Sequence, residues 1–160
     1  MTRRQLISLL SAIGLARQPL DAPAASDAPR LDPLRLSDAE WKKRLTAAQY
    51  DVLRKEGTEY AGSSALNAEK RKGQYQCAGC DLPLFTSDMK YDSGTGWPSF
   101  FRTLPGALQT RTDFKHVYPR TEYHCARCEG HHGHVFDDGP APTGKRYCNN
   151  GVALKFVAAA

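Results

Sequence analysis

No stretch of the chain approaches the run of about 18 apolar residues that a transmembrane helix needs, so nothing in it reads as a membrane span or implies stable membrane association. There is no block of lysine and arginine either. The formal charge of +5 is scattered along 160 residues, an excess too mild to imply nucleic-acid binding. Internal repeats are absent apart from two short cysteine pairs. After residue 60 no segment keeps helical periodicity for a useful length, which excludes a helical bundle as the main body. What remains is the length and composition of a single soluble-type domain with one substantial core.

The first residues differ in texture from the rest. "MTRRQLISLLSAIGLARQPLDAPAAS" runs from Arg3 and Arg4 through the apolar stretch Leu6–Ala16 to small residues at Ala22–Ala25. That order is the pattern of an export signal, and "TRRQLIS" resembles twin-arginine signals. The expectation is a signal peptide over 1–25, a Pro/Ala/Asp-rich linker over 26–36 and one domain over 37–157. Periplasmic location follows, with a cytoplasmic protein as the alternative. Removing 1–25 takes away three arginines and one aspartate and lowers the net charge to +3.

Within the domain, Ser37 with Glu40 and Thr46 with Gln49 are capping-box patterns that predict two short helices. The second runs through "AAQYDVLRKEG", with Gly57 as its C′ residue. Trp41, Leu45, Tyr50 and Leu53 fall at helical spacing as core residues. Beyond Gly73, "QYQC", "PLF", "ALQTR", "HVYP", "EYHC", "HVF" and "VALKFV" are candidate strands between turn signals. The expected fold is mainly β, a small antiparallel domain preceded by two helices.

"CAGC" and "CARC" place Cys77 with Cys80 and Cys125 with Cys128. Two intervening residues let one tight turn aim both sulfurs at a single ion, and two such turns complete a tetrahedral Cys₄ shell, the preferred arrangement of one structural Zn²⁺. Gly79 eases the first turn. The long gap between the pairs requires two separate hairpins. Two disulfides, or a redox CxxC, are the competing readings.

A closed Cys₄ site carries no chemistry, so activity must come from elsewhere. "GHHGHVFDDGPAPTGKRYCNNG", residues 130–151, gathers His131, His132, His134, Asp137, Asp138, Arg146, Cys148 and Asn150. A nearby Arg or imidazolium favours thiolate, a histidine moves protons near neutral pH, a carboxylate can orient an imidazole, and an amide can hold a polar substrate atom. The alternatives are a buried structural cysteine or a second metal site. In "KYDSGTGWPSFF", residues 90–101, Gly and Pro pin the backbone beside Trp97. That ring is either core or the wall of a slot for a methyl or thioether group.

Together these stretches resemble the methionine-R-sulfoxide reductases of the B type. "LTAAQYDVLRKEGTE", "CAGCDLPLF", "KYDSGTGWPSF", "CARCEGHHGHVFDDGPAPTGKRYC" and "NNGVALKF" occur in that family's order over about 37–157. The resemblance implies two antiparallel β-sheets with short N-terminal helices, reduction of the R epimer of methionine sulfoxide, and zinc remote from the chemistry. Carried over, the nucleophile falls on Cys148, the active-site histidines on His131 and His134, and the acid on Asp138. Arg146 and Asn150 flank the thiol, Trp97 recognises the methyl group, and Cys77, Cys80, Cys125 and Cys128 hold zinc.

The chain departs from the family pattern in four places. Thr95 stands where many members have the cysteine that resolves the oxidised nucleophile. His132 replaces a residue that is usually aliphatic, and Asn149 and Gly151 stand where an aliphatic residue and serine are common. Five cysteines, four of them ligands, leave no second free thiol in the chain. The expected cycle therefore uses one cysteine, oxidised to sulfenic acid and regenerated by a small thiol or thioredoxin-like partner, in a monomer acting on oxidised proteins. The rivals are a zinc-stapled binding module without catalysis and a thiol-disulfide oxidoreductase.

Overall fold

The computed structural model describes residues 31–115 and 117–160. The expected signal peptide and the first part of the linker lie outside the described residues. Residues 31–36 form no helix or strand; Leu34 N–H donates to the Arg127 carbonyl at 2.8 Å, and Leu34 and Leu36 pack on the core. No helix of the described residues is long and apolar enough to cross a membrane.

Both predicted helices form with their capping boxes closed: α1, Asp38–Arg44, starts at Ser37 and α2, Ala47–Lys55, at Thr46. In each, the cap side chain takes an otherwise orphan N–H of the first turn and the residue three on returns the favour. Their apolar faces bury Trp41, Val52 and Leu53. The end of α2 differs from expectation. Glu56, not Gly57, takes the left-handed conformation. Gly57 is needed for space instead, since a Cβ there would lie 2.2 Å from an Asp51 carboxylate oxygen.

Nine strands follow among the described residues: β1 Gly73–Cys77, β2 Pro83–Thr86, β3 Lys90–Tyr91, β4 Ser99–Phe100, β5 Leu108–Asp113, β6 Arg120–Cys125, β7 His131–Phe136, β8 Arg146–Asn149 and β9 Leu154–Ala158. They make two antiparallel sheets, one ordered β2-β1-β9 and one ordered β3-β4-β8-β7-β6-β5. The mainly-β reading with two short helices holds. "HVYP" is not a strand over Val117–Pro119, and pairing starts only at Arg120. "VALKFV" begins as a 3₁₀ turn before β9. β3, β4 and β8 escaped the sequence reading; β3 and β4 are two residues long, and β8 reads as the polar string RYCN.

The sheets pack through an aromatic core. Tyr75, Leu84 and Phe85 of the smaller sheet meet Phe100 and Tyr123 of the larger. The rings of Phe85 and Phe100 stack at 4.0 Å, and Tyr75 meets Phe100 edge-on at 5.0 Å. Period-two alternation then assigns the faces of β8. Tyr147 and Asn149 point into the core, where Asn149 Oδ1 accepts from Tyr123 Oη at 2.9 Å, while Arg146 and Cys148 point to the other side.

Candidate active site and metal cluster

The register of the larger sheet lines up a cross-strand row. Arg111 of β5 lies opposite Glu122 of β6, Glu122 opposite His134 of β7, His134 opposite Cys148 of β8, and Cys148 opposite Ser99 of β4. The cleft above this row, about 280 Å³, is lined by Thr58, Thr95, Trp97, Arg120, Gly133, His134, Phe136, Arg146 and Cys148. Four of the predicted site residues therefore meet there: Trp97, His134, Arg146 and Cys148. Gly133 allows β7 and β8 to close up beside the thiol, since a Cβ at this position would sit 1.9 Å from the Cys148 carbonyl oxygen.

Two histidines spaced three apart on a regular strand would face opposite ways. Here β7 carries a bulge: His131 pairs with His124 and Gly133 with Tyr123, leaving His132 as the extra residue. The bulge brings His131 and His134 to one side, ring centroids 5.6 Å apart, and sends His132 to the other. His134 lines the cleft. His131 is buried behind it, with Nδ1 2.7 Å from Glu122 Oε1.

The carboxylates that orient these imidazoles are not Asp138. His134 Nε2 lies 2.7 Å from Asp113 Oδ2, and that same oxygen accepts from Arg120 at 3.2 Å. Asp138 instead grips Arg146 through two parallel bonds of 2.8 Å, and the guanidinium lies over the Phe136 ring. Asn150 also departs from its expected place. Its Oδ1 accepts the Glu59 N–H at 3.0 Å and its Nδ2 donates to the His132 carbonyl at 3.0 Å, so the amide is spent on backbone rather than presented to a ligand.

Glu59 was missed by sequence reasoning. Its carbonyl accepts from Trp97 Nε1 at 3.1 Å, and its carboxylate accepts the N–H groups of Gly151 and Val152. One residue thus seats the indole wall and the turn after Cys148. Its only signal was its place in the quoted "KEGTE".

Burial sets the direction of the shift at Cys148 and His134. It pushes the Cys148 thiol up, opposed by the Arg146 charge. It pushes the His134 imidazole down, opposed by Asp113. Asp113 itself is held well below the usual carboxylate range by the Lys115 backbone N–H and by His134. Burial alone would raise Glu122, but hydrogen bonds from His124 and His131 and the Arg111 charge outweigh it and hold the carboxyl at about 2. A carboxylate lowered in this way stabilises the fold above its unfolded value, 4.5, and that support is lost as pH falls toward 2. The gap in melting temperature between the native protein and Glu122→Gln is therefore expected to be widest above pH 4.5 and to close toward pH 2, as followed by circular dichroism. A gap independent of pH would contradict this account.

The four paired cysteines lie on the core side of the sheets. Each pair closes a hairpin, Cys77 and Cys80 between β1 and β2, Cys125 and Cys128 between β6 and β7. The two turns share one design. Asp81 and Glu129, each just after the second cysteine, are left-handed and donate N–H to the first cysteine's carbonyl at 2.9 Å. The left-handed residue is thus Asp81, and Gly79 is not in that conformation. The arginines Arg44, Arg54 and Arg127 donate to the carbonyls of Gly79, Cys128 and Cys80.

No disulfide joins these cysteines. The four sulfurs lie within 4.8 Å of one another, with Cys77–Cys128 at 3.6 Å and Cys80–Cys125 at 3.4 Å. A tetrahedral ion with metal–sulfur bonds of about 2.3 Å spaces its sulfurs at about 3.8 Å, whereas a disulfide needs about 2.05 Å. The cluster fits a structural metal site. His132 faces it fully buried, and burial holds its imidazole down at about 3.

Residues 45–158 match the family model of the SelR domain. The peptide methionine sulfoxide reductase MsrB of Leptospira interrogans is 52% identical over 121 residues, covering 75% of this chain and 92% of that protein. The protein of the same name from Agrobacterium fabrum is 51% identical over 121 residues, 75% and 90% of the two chains. That of Methanosarcina barkeri is 52% identical over 121 residues, 75% and 85%. Among solved structures, the Mis18 'Yippee-like' domain aligns with 56% of this chain and 99% of its own at a TM-score of 0.45 and 14% identity, a likeness too slight to argue from. With its matches covering most of its length, the chain belongs to the SelR-domain family, that of the peptide methionine sulfoxide reductases of the MsrB type.

Proposed function

We propose that this chain reduces the R epimer of methionine sulfoxide in proteins, with Cys148 as nucleophile and His134 as the group that moves the proton. The observation that carries the reading is the cross-strand pairing of Cys148 with His134 on the floor of a cleft walled by Trp97 and Phe136. The aromatic walls suit a methyl-bearing thioether, and the polar floor suits the sulfoxide oxygen.

The directions of the two pKa shifts make the resting pair neutral, a thiol beside an imidazole. The proton that the oxygen must receive is then the one on Cys148. As the sulfur attacks the sulfoxide sulfur, Arg146 stabilises the developing thiolate and His134, oriented by Asp113, passes the proton to the oxygen. Thiol and sulfoxide become sulfenic acid and methionine, with atoms and electrons balanced. His131, buried with Glu122, supports His134 from behind. Asp138 positions Arg146, and Asn150 with Glu59 holds the turn after the nucleophile.

Regeneration falls to an external reductant, a small thiol or thioredoxin-like protein, because the other four cysteines belong to the cluster. The thiolate donor set and its sulfur spacing support one structural Zn²⁺. The Arg3-Arg4 pattern supports a signal peptide over 1–25 and a periplasmic domain over 37–157, and residues of one chain complete the cleft, in keeping with a monomer. The test is purified protein with dithiothreitol on the separate R and S epimers of a methionine-sulfoxide peptide. Turnover of R alone is expected, with Cys148 found as –SOH or a mixed disulfide by mass spectrometry when reductant is withheld. Turnover of S, or a bond from Cys148 to Cys77, Cys80, Cys125 or Cys128, overturns the reading.

A further inference from the structure

The bulge in β7 sends one imidazole away from the chemistry and toward the metal cluster. His132 is fully buried, and its Nε2 lies 3.3 Å from Cys77 Sγ. Its other ring nitrogen, Nδ1, is buried without a hydrogen-bond partner. A neutral imidazole has one proton and two places for it. On Nδ1 it would bury an N–H with no acceptor and set the Nε2 lone pair against those of sulfur. On Nε2 it leaves only an unpaired acceptor and gives the Cys77 thiolate a donor, the less costly arrangement.

We propose that His132 Nε2–H donates to the Cys77 thiolate, tightening the hold of the cluster on its ion and dulling that sulfur toward electrophiles and oxidants. A hydrogen bond draws charge from a thiolate and so lowers its nucleophilicity, and partners behind metal ligands tune both affinity and reactivity. The main chain of His132 adds a second link. Its carbonyl accepts from the Asn150 N–H at 2.9 Å and from Asn150 Nδ2 at 3.0 Å. One residue therefore ties the cluster to the segment that follows the nucleophile.

The inference rests on the cluster holding zinc, so the metal content of the native protein is measured first. A native protein that neither carries nor takes up zinc removes that reading and this proposal together. Zinc affinity is then measured by chelator competition, and the order of cysteine alkylation by iodoacetamide is mapped by mass spectrometry. His132→Leu is expected to bind zinc about tenfold or more weakly, with Cys77 the first of the four ligands to react. His132→Gln, whose amide nitrogen reaches the place of Nε2, is expected to restore affinity and order. Native affinity and an unchanged order in His132→Leu overturn the proposal. Should His132→Leu not fold, the comparison is between His132→Gln and His132→Asn, whose amide is too short to reach the sulfur. Tighter binding by His132→Gln supports the assignment, and equal binding overturns it.

Discussion

Cys148→Ser is expected to abolish turnover while leaving fold and metal content unchanged. Serine is close to cysteine in size, so neither the row across the larger sheet nor the cluster on its far side is disturbed. What is lost is the chemistry. A hydroxyl is a far poorer nucleophile than a thiol, and no second free thiol stands in reserve in this chain. A fall of at least about a thousandfold in the rate on the R epimer is expected, since removing a covalent nucleophile leaves only binding and electrostatics. Initial rates with dithiothreitol, beside circular dichroism and zinc content, check it. Activity within tenfold of native would remove Cys148 from its role.

Metal removal is expected to act in the complementary way, on the fold first and on activity through it. An ion held a thousandfold above its dissociation constant adds about 4 kcal/mol to stability, a large part of the 5–15 kcal/mol typical of a domain. Stripping the ion with a strong chelator, or removing one ligand by Cys125→Ser, is therefore expected to lower the melting temperature by at least about 10 °C. The sulfurs are buried at the ends of two separate hairpins, so losing the ligation removes the tie between those hairpins inside the core. Differential scanning calorimetry with and without chelator measures it, and an unchanged melting temperature would make the cluster dispensable.

The features legible in the sequence were those whose cause is local. A capping box needs only residues three apart, and a metal knuckle needs only two cysteines and a turn, so α1, α2 and the cluster were readable directly. β8 was not. Its four residues serve two masters, Tyr147 and Asn149 in the core and Arg146 and Cys148 in the cleft, and a strand with polar residues on both faces carries no alternation to detect. The partners of the histidines were hidden for another reason. Asp113 and Glu122 reach His134 and His131 only through the registers of β5, β6 and β7 and the bulge at His132, none of which is written in spacing. The hydrogen-bonding capacity of Asp138 goes to Arg146 and that of Asn150 to backbone, pairings that sequence spacing does not show.

The wide separation of the two knuckles also bears on how fast the molecule assembles. Cys77 and Cys128 are 51 positions apart, and Cys80 and Cys125 are 45 apart. Thr95, Trp97 and Ser99 lie inside that span, whereas His134, Arg146 and Cys148 lie beyond it, so the two walls of the cleft meet only once a loop of this length has closed. Closing it in an unfolded chain costs about 3 kcal/mol of entropy, and long-range pairing of this kind slows folding. An ion bound by the four thiolates would hold that loop closed, so its closure would no longer be drawn from the pairing of the sheets. With that link in place, the aromatic wall and the nucleophile would be joined by a shorter path than the chain alone provides.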